Sequence, residues 1–299
     1  MKTAAVETPS VAAPRHGFVS DLAELVKARL TLLVLLTTAV GFYLGADPPV
    51  DYMALFHTVF GTAAAAAGAA ALNQWWERRV DALMRRTKTR PIPAGRMAPV
   101  QALVLGAALS LFGVVYLAFV CNALSAALTA LTIVIYIFAY TPLKRSSTAN
   151  TAVGAIPGAI PPMIGWAAAR GDIGAGAWGL FAIVFLWQMP HFFAVAWMCR
   201  EDYSRAGFRM ISNEDSTGER SASQSVFFCI LLLVFAGLPA FVGIVSYVYQ
   251  AIELVLGGLL VAVAMRFLRL RTQSAARLLF IASIVYLPLL LTALVITKL

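Results

Sequence analysis

Long apolar segments alternate with short charged loops along almost the whole chain. Nine such segments lie near residues 30–46, 52–75, 99–119, 122–141, 149–169, 174–199, 223–246, 249–268 and 277–297. Each has the ~17–25 residues that an α-helix needs to cross the ~30 Å hydrocarbon layer of a membrane. The pattern therefore predicts an all-α, polytopic membrane protein with nine transmembrane helices.

The segments outside these spans are too short to form a soluble domain. Residues 1–17 show no periodicity and are predicted to be a disordered cytoplasmic tail, followed by a single integral-membrane domain over residues 18–299. Residues 18–29 form a short amphipathic stretch that can lie at the membrane surface. The three cysteines form no CxxC pair, so the sequence indicates neither a disulfide framework nor a zinc site.

The basic residues predict the orientation of the spans. With the N-terminus in the cytoplasm, 21 of the 23 Lys and Arg residues fall on the cytoplasmic side, and only Arg170 and Lys298 fall outside. Positive charge on the inside is the usual determinant of topology. The net charge of +9 is therefore explained by membrane topology and does not indicate nucleic-acid binding. An odd number of spans then places the C-terminus outside.

The loop after the second span, Asn73–Pro91, concentrates charge in a chain with only 12% charged residues. If the preceding helix continues, Asn73, Glu77 and Asp81 recur at i, i+4 and i+8 and share one face. Oxygen ligands at this spacing suit Mg²⁺ shared with a phosphorylated substrate. Basic residues around them can hold an anion: Arg78, Arg79, Arg85, Arg86, Lys88 and Arg90. The alternative is a positive-inside loop with helical ion pairs, such as Glu77 with Arg85.

A second motif, YTPLKRSSTAN (Tyr140–Asn150), ends the fourth span. Lys144 and Arg145 stand there beside several hydroxyl residues, on the same predicted side of the membrane as Glu77 and Asp81. They are candidates for binding an anion. The alternative is a pair of basic residues that only sets topology.

A third motif, LWQMPHFF, places Gln188 and His191 inside the sixth span. An ionisable residue within a membrane span is by default a functional hypothesis, since it must face protein or a cavity. The alternative is a hydrogen bond between the two side chains that joins helices.

The loop after this span carries the adjacent acids Glu201 and Asp202, within the motif EDYSRAGFRM. They lie on the same predicted side of the membrane as Glu77 and Asp81 and are candidates for the same site. Solvated loop charges are the alternative.

Together these stretches resemble one known family. NQWWERRVDALMRRTKTRPIPAGRM, YTPLKRSSTAN with GAIPGAIPPMIGW, WQMPHFF and DYSRAGFRM occur in the order found in the haem O synthases, the haem-farnesylating branch of the UbiA-type intramembrane prenyltransferases. The likeness covers roughly residues 20–295. It implies nine helices around a central cavity in the bacterial cytoplasmic (inner) membrane. The implied reaction transfers the farnesyl group of farnesyl diphosphate to the vinyl group of haem B, with addition of water, to give haem O and diphosphate.

The resemblance also implies roles for individual residues. Three groups follow from it: Mg²⁺ ligands Asn73, Glu77, Asp81 and Asp202; diphosphate ligands Arg86, Arg90, Lys144 and Arg145; and a haem pocket with Gln188 and His191. Two positions depart from the family pattern, since Glu77 replaces the usual Asp and Arg209 stands where Pro is expected. The second acidic motif is reduced to Asp202 with Glu201 beside it.

Two other functions fit parts of the sequence. A related enzyme that prenylates a quinone precursor would share the acidic loops, and a membrane transporter would also use nine spans. Against a transporter, the spans show no two-fold repeat, and the ionisable residues gather at one face. Expected partners are farnesyl diphosphate, haem B and the lipid bilayer, with a haem A synthase or an oxidase assembly factor as a candidate protein partner.

Overall fold

The structure, a computed structural model, describes residues 17–299. These residues form α-helices, one π-helix and one short 3-10 helix. The α-helices are α1 (Phe18–Leu25), α2 (Ala28–Gly45), α3 (Tyr52–Asp81), α4 (Pro99–Val120), α5 (Ala123–Val134), α6 (Thr141–Leu143), α7 (Asn150–Ala159), α8 (Pro161–Arg170), α9 (Ala175–Met198), α10 (Arg200–Arg205), α11 (Glu219–Phe235), α12 (Leu238–Phe241), α13 (Tyr247–Leu270) and α14 (Gln273–Ile296). The π-helix (Ile135–Tyr140) joins α5 to α6, and the 3-10 helix (Ile211–Asn213) precedes α11. The predicted tail, residues 1–17, lies outside the described residues except for Gly17.

The nine predicted spans are confirmed within the described part of the chain. They are α2, α3, α4, α5–α6, α7–α8, α9, α11–α12, α13 and α14. Span 2 ends later than predicted, because α3 continues to Asp81. Its 30 residues extend about 45 Å at the α-helical rise, against a hydrocarbon layer of about 30 Å. The last turns of α3 therefore carry Asn73, Glu77 and Asp81 at one boundary of the bundle, here called the charged end.

Small residues allow α3 and α4 to pack backbone against backbone. A Cβ placed on Gly68 would lie 2.4 Å from the Ser110 backbone N, and one on Gly113 would lie 2.6 Å from the Gly61 carbonyl oxygen. Helices in lipid associate through such close contacts, because lipid supplies little hydrophobic driving force. The alanine- and glycine-rich sequence of α3 is therefore explained by its contact with α4.

Span 5 is interrupted at its prolines. Pro157 lies inside α7, and the chain bends at Ile160 before Pro161 and Pro162 begin α8. A proline lacks the N–H that an intact helix would use and clashes with the preceding turn. The break separates α7, which packs against the π-helix and α9, from α8, which packs against α2.

Arg170 and Lys298, which the charge pattern assigns to the outer side, both lie at the opposite end of the bundle from the charged end. Lys298 donates to the carbonyl oxygens of Tyr43 (2.6 Å) and Ala46 (2.5 Å). Arg170 lies 3.4 Å from the carbonyl oxygen of Gly45. Cations at a helix C-terminus satisfy its free carbonyls and complement its dipole. These two exceptions to the charge pattern are therefore caps for α2.

Candidate active site

The stripe on α3 is buried inside the bundle. Asn73 and Asp81 are 0% exposed and Glu77 is 6% exposed. The amide of Asn73 donates to Glu77 Oε2 at 3.1 Å, which follows from their i, i+4 spacing on one helical face. The predicted shared face is therefore present. Buried acidic groups require partners, and each of the two carboxylates has a cation.

Lys144 is the partner of Glu77, with 2.8 Å between Nζ and Oε1. It follows α6 directly and is 8% exposed. Its ammonium lies 4.4 Å from the centre of the Tyr140 ring and 5.7 Å from that of Phe208. Burial disfavours the Lys144 ammonium, but the Glu77 carboxylate outweighs it and raises the pKa of Lys144 above its usual value. Lys144 is thus held as a cation in an apolar, aromatic setting.

At the π-helix, the Tyr136 and Thr141 side chains of span 4 contact Asn73 on α3. The Thr141 hydroxyl donates to the Tyr136 carbonyl at 2.8 Å and accepts from the Asn73 amide at 3.1 Å. The rings of Tyr136 and Tyr140 stack, with centroids 5.6 Å apart. A π-helical turn inside an α-helix widens it and is frequent at functional sites.

Lys27 belongs to the same cluster, although the sequence indicated it only as a topological charge. Its Nζ donates to Asn73 Oδ1 at 2.7 Å and to the Tyr136 hydroxyl at 3.1 Å. It stands between α1 and α2 in a left-handed conformation, with φ of 49°. Burial, together with the positive charges of Arg90 and Lys144, lowers the pKa of Lys27 to about 7.

The position of Lys27 depends on how α1 is anchored. Arg96 lies 2.8 Å from Asp21 and 3.0 Å from Glu24, both on α1. Gln74, next to Asn73 in sequence, donates to the last carbonyls of α1, at 2.8 Å and 2.9 Å. The end of α1 is therefore fixed to α3 directly before the turn that directs Lys27 inwards.

Asp81 forms the second ion pair, with 2.7 Å between Oδ2 and Arg90. Its other carboxylate oxygen, Oδ1, is buried and has no hydrogen-bond partner. The loop after α3 folds back over this carboxylate, and Thr87 donates to the Asp81 backbone carbonyl at 2.9 Å. Arg90 thereby lies beside Asp81, and its predicted contact with a diphosphate remains a prediction.

The remaining predicted ligands at this end lie further out. Asp202 accepts hydrogen bonds from the Arg85 backbone N–H (3.3 Å) and from the Arg205 side chain. Arg86 and Arg145 are exposed, and within residues 17–299 neither side chain makes an ion pair. Their predicted contact with a diphosphate remains a prediction.

Comparison with known proteins identifies the family. The UbiA prenyltransferase family matches residues 34–287. The chain belongs to this family. It is similar to a protohaem IX farnesyltransferase of Solibacter usitatus, 43% identical over 90% of this chain and 95% of that one. It is also similar to a protohaem IX farnesyltransferase of Opitutus terrae, 46% identical over 94% and 95% of the two chains.

Solved structures share the fold of this UbiA family member. A digeranylgeranylglyceryl phosphate synthase matches with a TM-score of 0.78, at 14% identity, over 93% of this chain and 98% of that one. A UbiA homologue from Archaeoglobus fulgidus bound to GPP and Mg²⁺ matches with a TM-score of 0.62, at 15% identity, over 92% and 99% of the two chains. At these identities the likeness concerns the fold.

The donor set on α3 of this UbiA family member suits Mg²⁺. Asn73, Glu77 and Asp81 offer oxygen atoms, which hard cations prefer, and Asp81 Oδ1 is buried without a partner. Among residues 17–299 no three His, Cys, Asp or Glu side chains lie close enough to hold a metal ion together. Asp202 is therefore not gathered with Glu77 and Asp81, and its role as a fourth ligand remains a prediction.

Gln188 and His191 do not form the bond that the sequence suggested between them. Gln188 donates to the carbonyls of Ala155 (3.3 Å) and Val184 (3.1 Å), so it ties α9 to α7. His191 Nδ1 lies 2.9 Å from the Ser283 hydroxyl on α14. Ser283 was absent from the sequence prediction because nothing in the chain pattern indicates which helix faces His191.

Proposed function

We propose that this protein is a protohaem IX farnesyltransferase, which converts farnesyl diphosphate, haem B and water into haem O and diphosphate. The observation that carries the proposal is the pair of buried carboxylates, Glu77 and Asp81, each held by a cation at the charged end of an apolar bundle. The two relatives described above carry the same activity in their names.

The reaction requires stabilisation of a leaving diphosphate. The bond between farnesyl C1 and the diphosphate oxygen breaks, and its electron pair leaves with the diphosphate. The vinyl group of haem supplies the electrons for the new C–C bond, and water then adds to the neighbouring carbon and gives its proton to the diphosphate. Donors aimed at developing negative charge are usually the largest catalytic contribution.

The cations of the cluster suit this task. Lys27, Lys144 and Arg90 point into the same buried region, where a low dielectric strengthens their interaction with an anion. Mg²⁺ held by Asn73, Glu77 and Asp81, with Asp202, would neutralise part of the diphosphate charge. Lys144 and Arg90 can then donate to the diphosphate, because their carboxylates have another counterion. Arg86 and Arg145 stand outside as predicted further donors.

The remaining assignments follow the same proposal. Gln188 and His191 line the haem pocket within span 6, and the apolar helices shield the farnesyl cation from bulk water. The protein lies in the bacterial inner membrane with its N-terminus in the cytoplasm, which the distribution of basic residues supports. A haem A synthase or an oxidase assembly factor would receive the product.

Product analysis with purified protein in detergent tests the proposal. Farnesyl diphosphate, haem B and Mg²⁺ should yield haem O, identified by mass, and omission of Mg²⁺ should abolish it. A hydroxybenzoate offered in place of haem should remain unprenylated. Prenylation of the benzoate in preference to haem would transfer the protein to the quinone branch of the family, and no product from either acceptor would refute the activity.

A further inference from the structure

Residues 208–210, here called the strap, connect α10 to the 3-10 helix at the charged end without forming a helix, and end in Met210, which is extended. The strap crosses the 144–149 loop, which follows α6. The Arg209 backbone N–H donates to the Lys144 carbonyl at 2.7 Å. A proline, which the family resemblance leads us to expect at this position, has no N–H to donate. In this chain the strap therefore bonds directly to the backbone of Lys144.

Asn150 holds the strap and the loop together from the other side. Its side-chain amide donates to the Arg209 carbonyl at 2.7 Å and to the Ser147 carbonyl at 2.6 Å. The residue is 0% exposed, at the first turn of α7. One NH₂ group has two hydrogens, so both are used in these bonds. The strap is thus held by the backbone N–H and the carbonyl of Arg209. The 144–149 loop is held by the carbonyls of Lys144 and Ser147.

The strap also shapes the surroundings of the Lys144 ammonium. Phe208 is 5% exposed, and its ring centre is 5.7 Å from Lys144 Nζ. The strap brings this ring to the side chain while its next residue holds the Lys144 carbonyl. Both the backbone and the head group of Lys144 therefore depend on the position of residues 208–210.

We propose that Asn150 is a positioning residue for farnesyl transfer, acting through Lys144. Its amide keeps the strap against the 144–149 loop, and the strap keeps the Lys144 ammonium where a diphosphate can meet it. The inference rests on the proposed function, since it assigns to Lys144 the binding of a diphosphate. Displacement of a catalytic group by about 1 Å can cost about 100-fold in rate, so a bond remote from the substrate can matter.

A double-mutant cycle between Asn150 and Lys144 separates positioning from mere support of the fold. Asn150→Ala should lower kcat/KM for farnesyl diphosphate about tenfold, with KM for haem unchanged. Lys144→Ala should lower kcat/KM for farnesyl diphosphate about 100-fold. The double variant should match Lys144→Ala alone, because residues that act through one another are not additive. Asn150→Ser, too short to reach both carbonyls, repeats the test should the alanine variant fold poorly.

Asn122 supplies a matched control at the opposite end of the bundle. Its amide also donates to two carbonyls, those of Ala167 (2.8 Å) and Ala168 (3.4 Å). Asn122→Ala should lower the melting temperature as Asn150→Ala does and leave kcat/KM for farnesyl diphosphate unchanged. Additive losses in the double variant, or an equal loss of kcat/KM in Asn122→Ala, would overturn the positioning role. Failure of the wild-type protein to make haem O would instead refute the proposed function.

Discussion

Lys144 and Glu77 lie 67 residues apart in sequence and meet in a buried ion pair, with 2.8 Å between Nζ and Oε1. Glu77 also accepts from Asn73, so both of its oxygens are occupied. In the proposed function, an incoming diphosphate would compete with Glu77 for Lys144, and a metal ion would compete with Lys144 for Glu77. The pair therefore holds the two halves of the proposed site ready for ligands of opposite charge.

The ion pair should contribute to stability. Lys144→Met removes the ammonium and keeps an apolar chain, which leaves Glu77 as an unpaired buried charge. We expect the free energy of unfolding to fall by about 3 kcal/mol. Thermal unfolding in one detergent measures it, and adding Glu77→Gln should recover most of the loss. Arg145→Met, a substitution of the exposed neighbouring residue, is the control and should change the free energy of unfolding little. An equal loss of stability in Arg145→Met would show that the ion pair between Lys144 and Glu77 is not the cause.

Lys144 should also bind the diphosphate. Lys144→Met should weaken binding of farnesyl diphosphate about 100-fold and binding of haem much less. Arg145→Met should have the same direction and a smaller effect, because an exposed guanidinium is screened by water. Isothermal titration with each ligand measures both. Unchanged diphosphate affinity in the two variants would leave Lys144 with its ion pair to Glu77 alone and Arg145 with a topological role.

Asp81 should be essential, and Glu77 replaceable by the usual residue of the family. Asp81→Ala removes the free oxygen Oδ1 and the partner of Arg90, so turnover should fall at least about 100-fold at limiting Mg²⁺. Glu77→Asp keeps the charge and should lose less than about tenfold. Asp47→Ala, an exposed acid at the opposite end, is the control. Full turnover of Asp81→Ala at low Mg²⁺ would contradict the metal assignment.

The α3 stripe was predictable because a period near 3.6 places Asn73, Glu77 and Asp81 on one face whatever α3 packs against. The partners of these residues depend on helix packing, which the chain pattern does not encode. Lys144 was recognised as a cation on the correct side, yet its contact with Glu77 follows from the crossing of α3 and span 4. Lys27 was missed because a left-handed residue between two helices leaves no periodic signal; the only indication was a Lys directly before the first span.

Substitutions at Lys27 test whether this residue belongs to the proposed substrate site or only helps to set the membrane topology. Lys27→Gly removes the side chain and still accepts a φ of 49°. We expect KM for farnesyl diphosphate to rise about tenfold, since one donor to a buried anion is lost. Arg29→Ala, which removes an exposed charge two residues further on, in the first turn of α2, should leave KM unchanged. Parallel steady-state kinetics would decide, and equal effects of the two variants would reduce Lys27 to a topological charge.

The hydrogen bonds of Ser283 determine which ring nitrogen of neutral His191 carries the proton. The Ser283 hydroxyl donates its single hydrogen to the Phe280 carbonyl at 2.7 Å, so it can only accept from His191 Nδ1. Neutral His191 then carries its proton on Nδ1 and keeps a lone pair on Nε2. Trp187 and Phe280 fix the plane of the ring, with centroids 5.3 Å and 4.9 Å from that of His191.

A lone pair on Nε2 is what a haem iron or a propionic acid group requires of an imidazole. His191→Ala should therefore lower haem affinity or turnover about tenfold and leave binding of farnesyl diphosphate intact. Ser283→Ala should have a smaller effect in the same direction, because the ring remains while its orientation is released. Titration of haem into each variant, followed at the Soret band, measures both. A Soret band identical in wild type and His191→Ala would exclude iron ligation, and unchanged turnover as well would remove His191 from the haem pocket.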